Sequence, residues 1–220
     1  IITNIIILCC IIVGLVMFMF WGLGNKEGFF LEDMDLLQTE TFDIFDIKEI
    51  SSNLKDFDLV LEKSNNSKIK VEFYGKEKDK NSIKITNKSG NLKIEQIKKR
   101  MAIYFGFYAQ NKRIVISVPE SFLGTIDMKT ISGDIDFSFL GELQKVNLNT
   151  ISGDIAADYI NIGDLNSTSG DIDLLKGNKI NANTVSGDIE IGEVQDVALK
   201  STSGEIHISD LNGGGDMNTV

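Results

Sequence analysis

A short phrase that returns in register constrains this chain more than any other feature. "TISGDIDF" begins at Thr130, "TISGDIAA" at Thr150, "STSGDIDL" at Ser167, "TVSGDIEI" at Thr184 and "STSGEIHI" at Ser201. Their corner serines, Ser132, Ser152, Ser169, Ser186 and Ser203, are spaced 20, 17, 17 and 17 residues apart. Apolar residues lie four positions before each serine and, except for Gly163, six positions before it, as in Met128 and Ile126 or Leu199 and Val197. They lie three and five positions after it, as in Ile135 and Phe137 or Ile189 and Ile191. The parity is even before the serine and odd after it, so Ser-Gly is a turn joining two half-buried strands.

One corner per unit at a near-constant period is the mark of a repeat architecture. A unit of 17 residues cannot bury an apolar face alone, so units must stack. A rung of two or three short strands fits this length, with rungs ~4.8 Å apart and Ile135, Ile155, Ile172, Ile189 and Ile206 in one inner column. The expected fold is all-β, a parallel β-helix or β-solenoid. The alternative is an antiparallel meander or sandwich, because Ser-Gly also suits a tight hairpin turn. The template extends to Ser89-Gly90, flanked by Ile83, Ile85, Leu92 and Ile94. At the far end "DMNTV" aligns with "NANTV", so a further Ser-Gly is due after Val220.

Upstream, "FDIFDIKEI", "KIKVEFYG" and "RIVISV" also alternate with period two and read as strands. The first stretch differs in kind. Ile5–Leu23 is uncharged, and its 19 residues make a helix of about 28 Å, close to the ~30 Å membrane core. Trp21 sits at its end, where an amphipathic ring suits the interface. A cleaved signal would have a shorter apolar core and a small-residue cleavage site. The expected organisation is a transmembrane anchor over 1–24 and a tether over 25–41 with a short amphipathic helix. A β-solenoid over 42–220 follows, its last rung incomplete. The segment after the anchor is rich in Asp and Glu and poor in Lys and Arg, which places the body outside the cytoplasm.

Cys9 and Cys10 both lie in the apolar segment, so the body carries no disulfide and no cysteine metal site. The formal net charge of -10 argues against a nucleic-acid partner, which requires a basic face.

The repeated "SGDI" steps, following "RIVISVPESFLGTIDMKT", resemble the bacterial adhesin-like family of unknown function, over roughly residues 42–220. In that family a strand ending in proline leads into Thr-x-Ser-Gly-Asp-Ile rungs; Glu205 departs from the usual Asp. The resemblance implies a β-helical, cell-surface or envelope domain behind a membrane anchor. It also implies, for some members, a regulatory role in envelope-stress signalling through a membrane partner. It supplies no catalytic residues and no cofactor.

The motif itself reads as structure. Gly133, Gly153, Gly170, Gly187 and Gly204 are expected at positive φ. Asp134, Asp154, Asp171, Asp188 and Glu205 are expected to accept turn N–H groups, as in an Asx turn. A cation ladder of these acids is the competing view, but Ca²⁺ needs six to eight oxygens, so no metal is assigned. Asp136, Asp173 and Glu190, with Ala156 and His207, share the next outward position. Paired acids there would suit a polysaccharide-active enzyme, yet no singular acid, base or nucleophile stands out, so none is assigned as catalytic. Thr130, Thr150, Ser167, Thr184 and Ser201 have inward parity and are expected to bond the backbone. Asn149, Asn166 and Asn183, with Asn147 and Asn181, build a flat outward polar face suited to sugars or a protein.

One region interrupts the period: "IKKRMAIYFGFYAQNKR", within the 43 residues between Ser89 and Ser132. It sets Lys98, Lys99, Arg100, Lys112 and Arg113 beside Tyr104, Phe105, Phe107 and Tyr108. This is the candidate contact with an envelope polymer, anionic lipid or membrane protein; alternatively its aromatics cover one end of the stack. The sequence thus points to a non-enzymatic, single-pass membrane-anchored surface module.

Overall fold

The computed structural model describes residues 34–97, 112–139 and 141–219. Both the apolar segment Ile5–Leu23 and the basic-aromatic insert, including Lys98, Lys99, Arg100, Tyr104, Phe105, Phe107 and Tyr108, lie outside the described residues. Among the described residues no helix is long and apolar enough to cross a membrane.

Alternation produces strands along the whole body. The first group is β1 (Asp35–Asp43), β2 (Glu49–Asn53), β3 (Asp58–Ser64), β4 (Lys68–Gly75), β5 (Ile83–Lys88) and β6 (Asn91–Gln96). Next come β7 (Arg113–Pro119), β8 (Thr125–Lys129), β9 (Ile135–Ser138) and β10 (Lys145–Asn149). The long strands β11 (Ile155–Asn166), β12 (Ile172–Asn183) and β13 (Ile189–Ser201) precede β14 (Ile206–Leu211) and β15 (Gly215–Thr219). In β4, Ile69, Val71 and Phe73 are buried while Lys68, Lys70 and Glu72 face outward, as a half-buried strand requires.

The strands build two faces that share β11, β12 and β13. On the first face β6, β2, β8 and β10 lie in parallel order, followed by the C-terminal parts of β11, β12 and β13 and then β15. On the second, β7, β3 and β9 lead to the N-terminal parts of the long strands and then β14. Antiparallel pairs close the early end: β5 against β6, β4 against β7 and β1 against β4. The architecture is an all-β, curled, solenoid-like sheet, and the meander alternative survives only in those closing pairs.

The register makes the predicted columns real. Ile135, Ile155, Ile172 and Ile189 pair in sequence and are at most 1% exposed; Ile206 follows, partly buried. Each such side chain contributes roughly 2 kcal/mol by leaving water. Rung length and core size change together. The 20-residue step from Ser132 to Ser152 encloses Phe137 and Phe139, edge to face with centroids 6.4 Å apart. The 17-residue steps place Ala157, Leu174 and Ile191 in the same column as Phe137.

Two expectations are corrected. Residues 35–41 of the expected tether are not helical; they belong to β1, whose Leu37 and Phe42 pack against the core. A bulge between Leu36 and Gln38 breaks the alternation, and Gln38 and Glu40 share the side of the strand that Phe42 occupies. Those two side chains hydrogen-bond to each other at 2.6 Å. The period-two signal was thereby concealed. Ser89-Gly90 is likewise not a rung corner. It is the tight turn of the β5–β6 hairpin, between the paired Lys88 and Asn91, with φ of 54° and 87°.

Candidate functional site

The five repeat corners form a continuous ladder. Thr150 Oγ1 donates to the Gly133 carbonyl at 3.1 Å and accepts from the Gly153 N–H at 3.1 Å. Ser167, Thr184 and Ser201 do the same one rung later each time, at 2.9–3.2 Å. Thr130, at the start of the column, donates to the Phe57 carbonyl at 3.0 Å. All five hydroxyls are buried, so each satisfies backbone groups that water cannot reach.

The corner glycines are not at positive φ; of the described glycines only Gly90 is. Their reason is steric. A Cβ on Gly153, Gly170, Gly187 or Gly204 would fall on the carbonyl oxygen of the preceding corner glycine, and one on Gly133 would fall on that of Phe57. The rungs approach through bare backbone, so no side chain fits there.

The acids also act across rungs rather than within their own turn. Asp134 accepts the Asp154 N–H at 3.0 Å, Asp154 that of Asp171 at 2.9 Å, and Asp171 that of Asp188 at 2.8 Å. Asp188 accepts the Glu205 N–H at 2.7 Å. Glu205 therefore joins this ladder as a backbone donor, for which its longer side chain is no obstacle. Asp58 starts the series, accepting from the Asp134 N–H at 3.3 Å. Burial holds its carboxyl above the usual range, ahead of the opposing effect of that hydrogen bond. Ser132, Ser152, Ser169, Ser186 and Ser203 are exposed, and their hydroxyls bond no other described residue. The bend is satisfied by the hydroxyl two positions earlier.

On the first face the outward residues stand in two registered columns. Asn166 donates to Asn149 and Asn183 to Asn166, both at 3.1 Å, while Asn181 donates to Asp164 at 3.2 Å. Asp164 also receives Lys145, which chiefly holds its carboxyl below the usual range, with Asn181 adding to this. On the second face Asp136, Ala156, Asp173, Glu190 and His207 form one column, as their parity predicts. Burial raises the Asp173 carboxyl, and Glu190, Asp171 and Asp154 raise it further. Among the described residues no three His, Cys, Asp or Glu side chains gather closely enough to hold a metal ion.

The insert is reached through two described residues. Ile97 donates its N–H to Ser82 O at 2.8 Å. Lys112 is buried, pairs with Asp56, and lies 4.8 Å from the Phe57 ring centroid. These contacts fix the insert's exits on the early end of the stack. Lys112, expected among the cations of the basic-aromatic contact cluster, is instead buried and paired within the body.

No curated protein matches the chain. Several solved structures do. A putative adhesin from Bacteroides fragilis is 17% identical, covering 86% of this chain and 98% of its own, with a TM-score of 0.45. A putative cell adhesion protein from Clostridium sporogenes is 10% identical, covering 85% and 99%, with a TM-score of 0.40. A putative lipid binding protein from Parabacteroides distasonis is 18% identical, covering 83% and 96%, with a TM-score of 0.39. The Toastrack DUF4097 family model matches residues 47–218. That span opens two residues before β2, closes within β15 and takes in every corner of the ladder, so this chain belongs to the Toastrack DUF4097 family.

Proposed function

We propose that this chain is a non-enzymatic envelope protein, held in the membrane by residues 1–24, whose rung-built polar face binds a partner outside the cell. The observation that carries the reading is the registered face itself. The same amide group recurs on successive rungs, from Asn149 through Asn166 to Asn183. A catalytic centre needs a singular constellation, whereas a repeated face suits an extended partner. The apolar run Ile5–Leu23 and the acidic residues after it support an anchored, outward-facing body.

The test is made on intact cells expressing the full chain with a C-terminal tag. External protease should remove the tag, and the tagged chain should retain envelope material in a pull-down. A tag protected until the cells are broken would overturn the outward orientation. Tyr104→Ala with Phe107→Ala separates the insert from the face: unchanged retention leaves the face as the contact, and lost retention moves the contact to the insert.

A further inference from the structure

The corner series has a further member that differs in kind. The crossing from β2 to β3 lies one rung before the Thr130 corner and meets it as one corner meets the next. Lys55 O accepts the Ile131 and Ser132 N–H groups, as Ile131 O accepts those of Ile151 and Ser152. Phe57 O accepts the Thr130 hydroxyl, as Gly133 O accepts that of Thr150. Asp58 accepts the Asp134 N–H, as Asp134 accepts that of Asp154, and Leu59 pairs with Ile135. By this register Asp56 stands where the later rungs carry serine, and Phe57 where they carry glycine.

Both replacements are put to use. The later corner serines are exposed and their hydroxyls bond no described residue, whereas Asp56 engages both carboxylate oxygens. Its Oδ1 accepts from Gln96 Nε2 at 2.9 Å, and its Oδ2 takes the Lys112 ammonium. Gln96 ends β6 on the first face, and its own Oε1 accepts the Lys55 N–H at 2.8 Å. Lys112 stands just before β7 on the second face, and its carbonyl accepts the Asp58 N–H at 2.8 Å. The Lys112 side chain is 6% exposed and lies over the Phe57 ring, which is itself buried against Phe73. A buried ammonium requires an anion beside it, which serine cannot supply. One carboxylate thus holds the chain on both sides of residues 98–111.

We infer that the Asp56-Phe57 corner is a rung corner converted to anchor the insert. Asp56 ties the ends from which the insert leaves and returns, and Phe57 seats the returning lysine. The inference goes beyond the envelope-binding reading and holds whichever surface the partner meets. Tied ends also leave an insert less freedom to lose when a partner engages it.

The test is residue-resolved hydrogen exchange on the full chain in detergent micelles. Asp56→Ser installs the residue of the five later corners, so the crossing keeps a side chain that the fold accepts. The Ile97 and Asp58 amides, bonded to Ser82 O and Lys112 O, report the two ends. Both should exchange about tenfold faster or more, while the mid-stack amides of Ile155 and Ile172 stay within about twofold. Gln96→Ala should accelerate Ile97 and leave Asp58 within about twofold. Should the unpaired Lys112 ammonium unfold the whole stack, Asp56→Ser with Lys112→Met removes the buried charge, and both end amides should still exchange faster than in the parent. No acceleration at either end, acceleration at one end alone in Asp56→Ser, or equal acceleration of the mid-stack amides in the double variant overturns the inference. So does a Gln96→Ala variant that loosens Asp58 rather than Ile97.

Discussion

The hairpin at Ser89-Gly90 and the corner at Ser169-Gly170 use one dipeptide in two backbones. The hairpin joins antiparallel strands and holds both residues at positive φ. The corner joins strands on two different faces, and its glycine lies against the backbone of the rung before it. The first turn is a local affair of dihedral angles. The second is an agreement between rungs, and its side-chain bonds to the rung before reach residues 14 or 17 positions away. A dipeptide motif therefore does not specify a turn until its spacing to the next copy is known.

The largest expected difference is in the glycines. Gly170→Ala should cost about 3 kcal/mol or more, because the carbonyl it meets cannot move without shifting a rung. Gly90→Ala should cost about 1–2 kcal/mol, the price of a left-handed residue, since the nearest atoms belong to the flexible Lys48 side chain at 3.2 and 3.3 Å. Equal losses in urea unfolding would erase the distinction.

Next comes the buried hydroxyl. Ser167→Ala leaves the Gly153 carbonyl and Gly170 N–H without their partner and should cost about 2 kcal/mol. Ser167→Thr should be close to neutral, because Thr150 and Thr184 hold the same place. A Ser167→Ala variant as stable as the parent would show that water reaches the corner.

The acids should matter less. Asp171→Ala removes the acceptor of the exposed Asp188 N–H and should cost about 1 kcal/mol; Asp171→Asn keeps an acceptor oxygen and should cost less than about 0.5 kcal/mol. Calcium should not change the melting temperature of either. Calcium-dependent melting in the parent, lost in Asp171→Asn, would restore the cation ladder.

Asp173 on the second face should behave oppositely to a stabilising carboxylate. Its folded pKa lies above the unfolded value of 3.8, so ionisation opposes folding at neutral pH. Asp173→Asn should raise the melting temperature at pH 7, and the gain should disappear as pH falls through the raised pKa. A gain that persists at pH 3 would point to packing instead. The smallest effect is Ser89→Asn, which creates the preferred Asn-Gly hairpin turn and should add about 0.5 kcal/mol.

Much of this was legible in the sequence. The parity flip at Ser-Gly placed the Ile135 and Met128 columns inward and predicted the buried hydroxyls from Thr130 to Ser201. The turn glycines were legible as residue type but not as cause. A glycine required by φ and one required by a neighbour's backbone look alike until the neighbour is in place. The same gap hid the role of the acids, since an acceptor for the next rung is written no differently from one for its own turn. At β1 a bulge and two polar residues broke the alternation on which the strand reading depends.

The side-chain bonds that link one corner to the next run one way. From Thr150 on, each hydroxyl donates to the glycine carbonyl of the rung before it, and each aspartate receives the N–H of the rung that follows. During synthesis the chain emerges N-terminus first, so the corner hydroxyl and the acid's N–H of each new rung meet acceptors already in position. The stack can grow behind the ribosome one step at a time, each finished turn serving as the template for the next. Whole steps could be gained or lost in units of 17 without remaking the corners on either side.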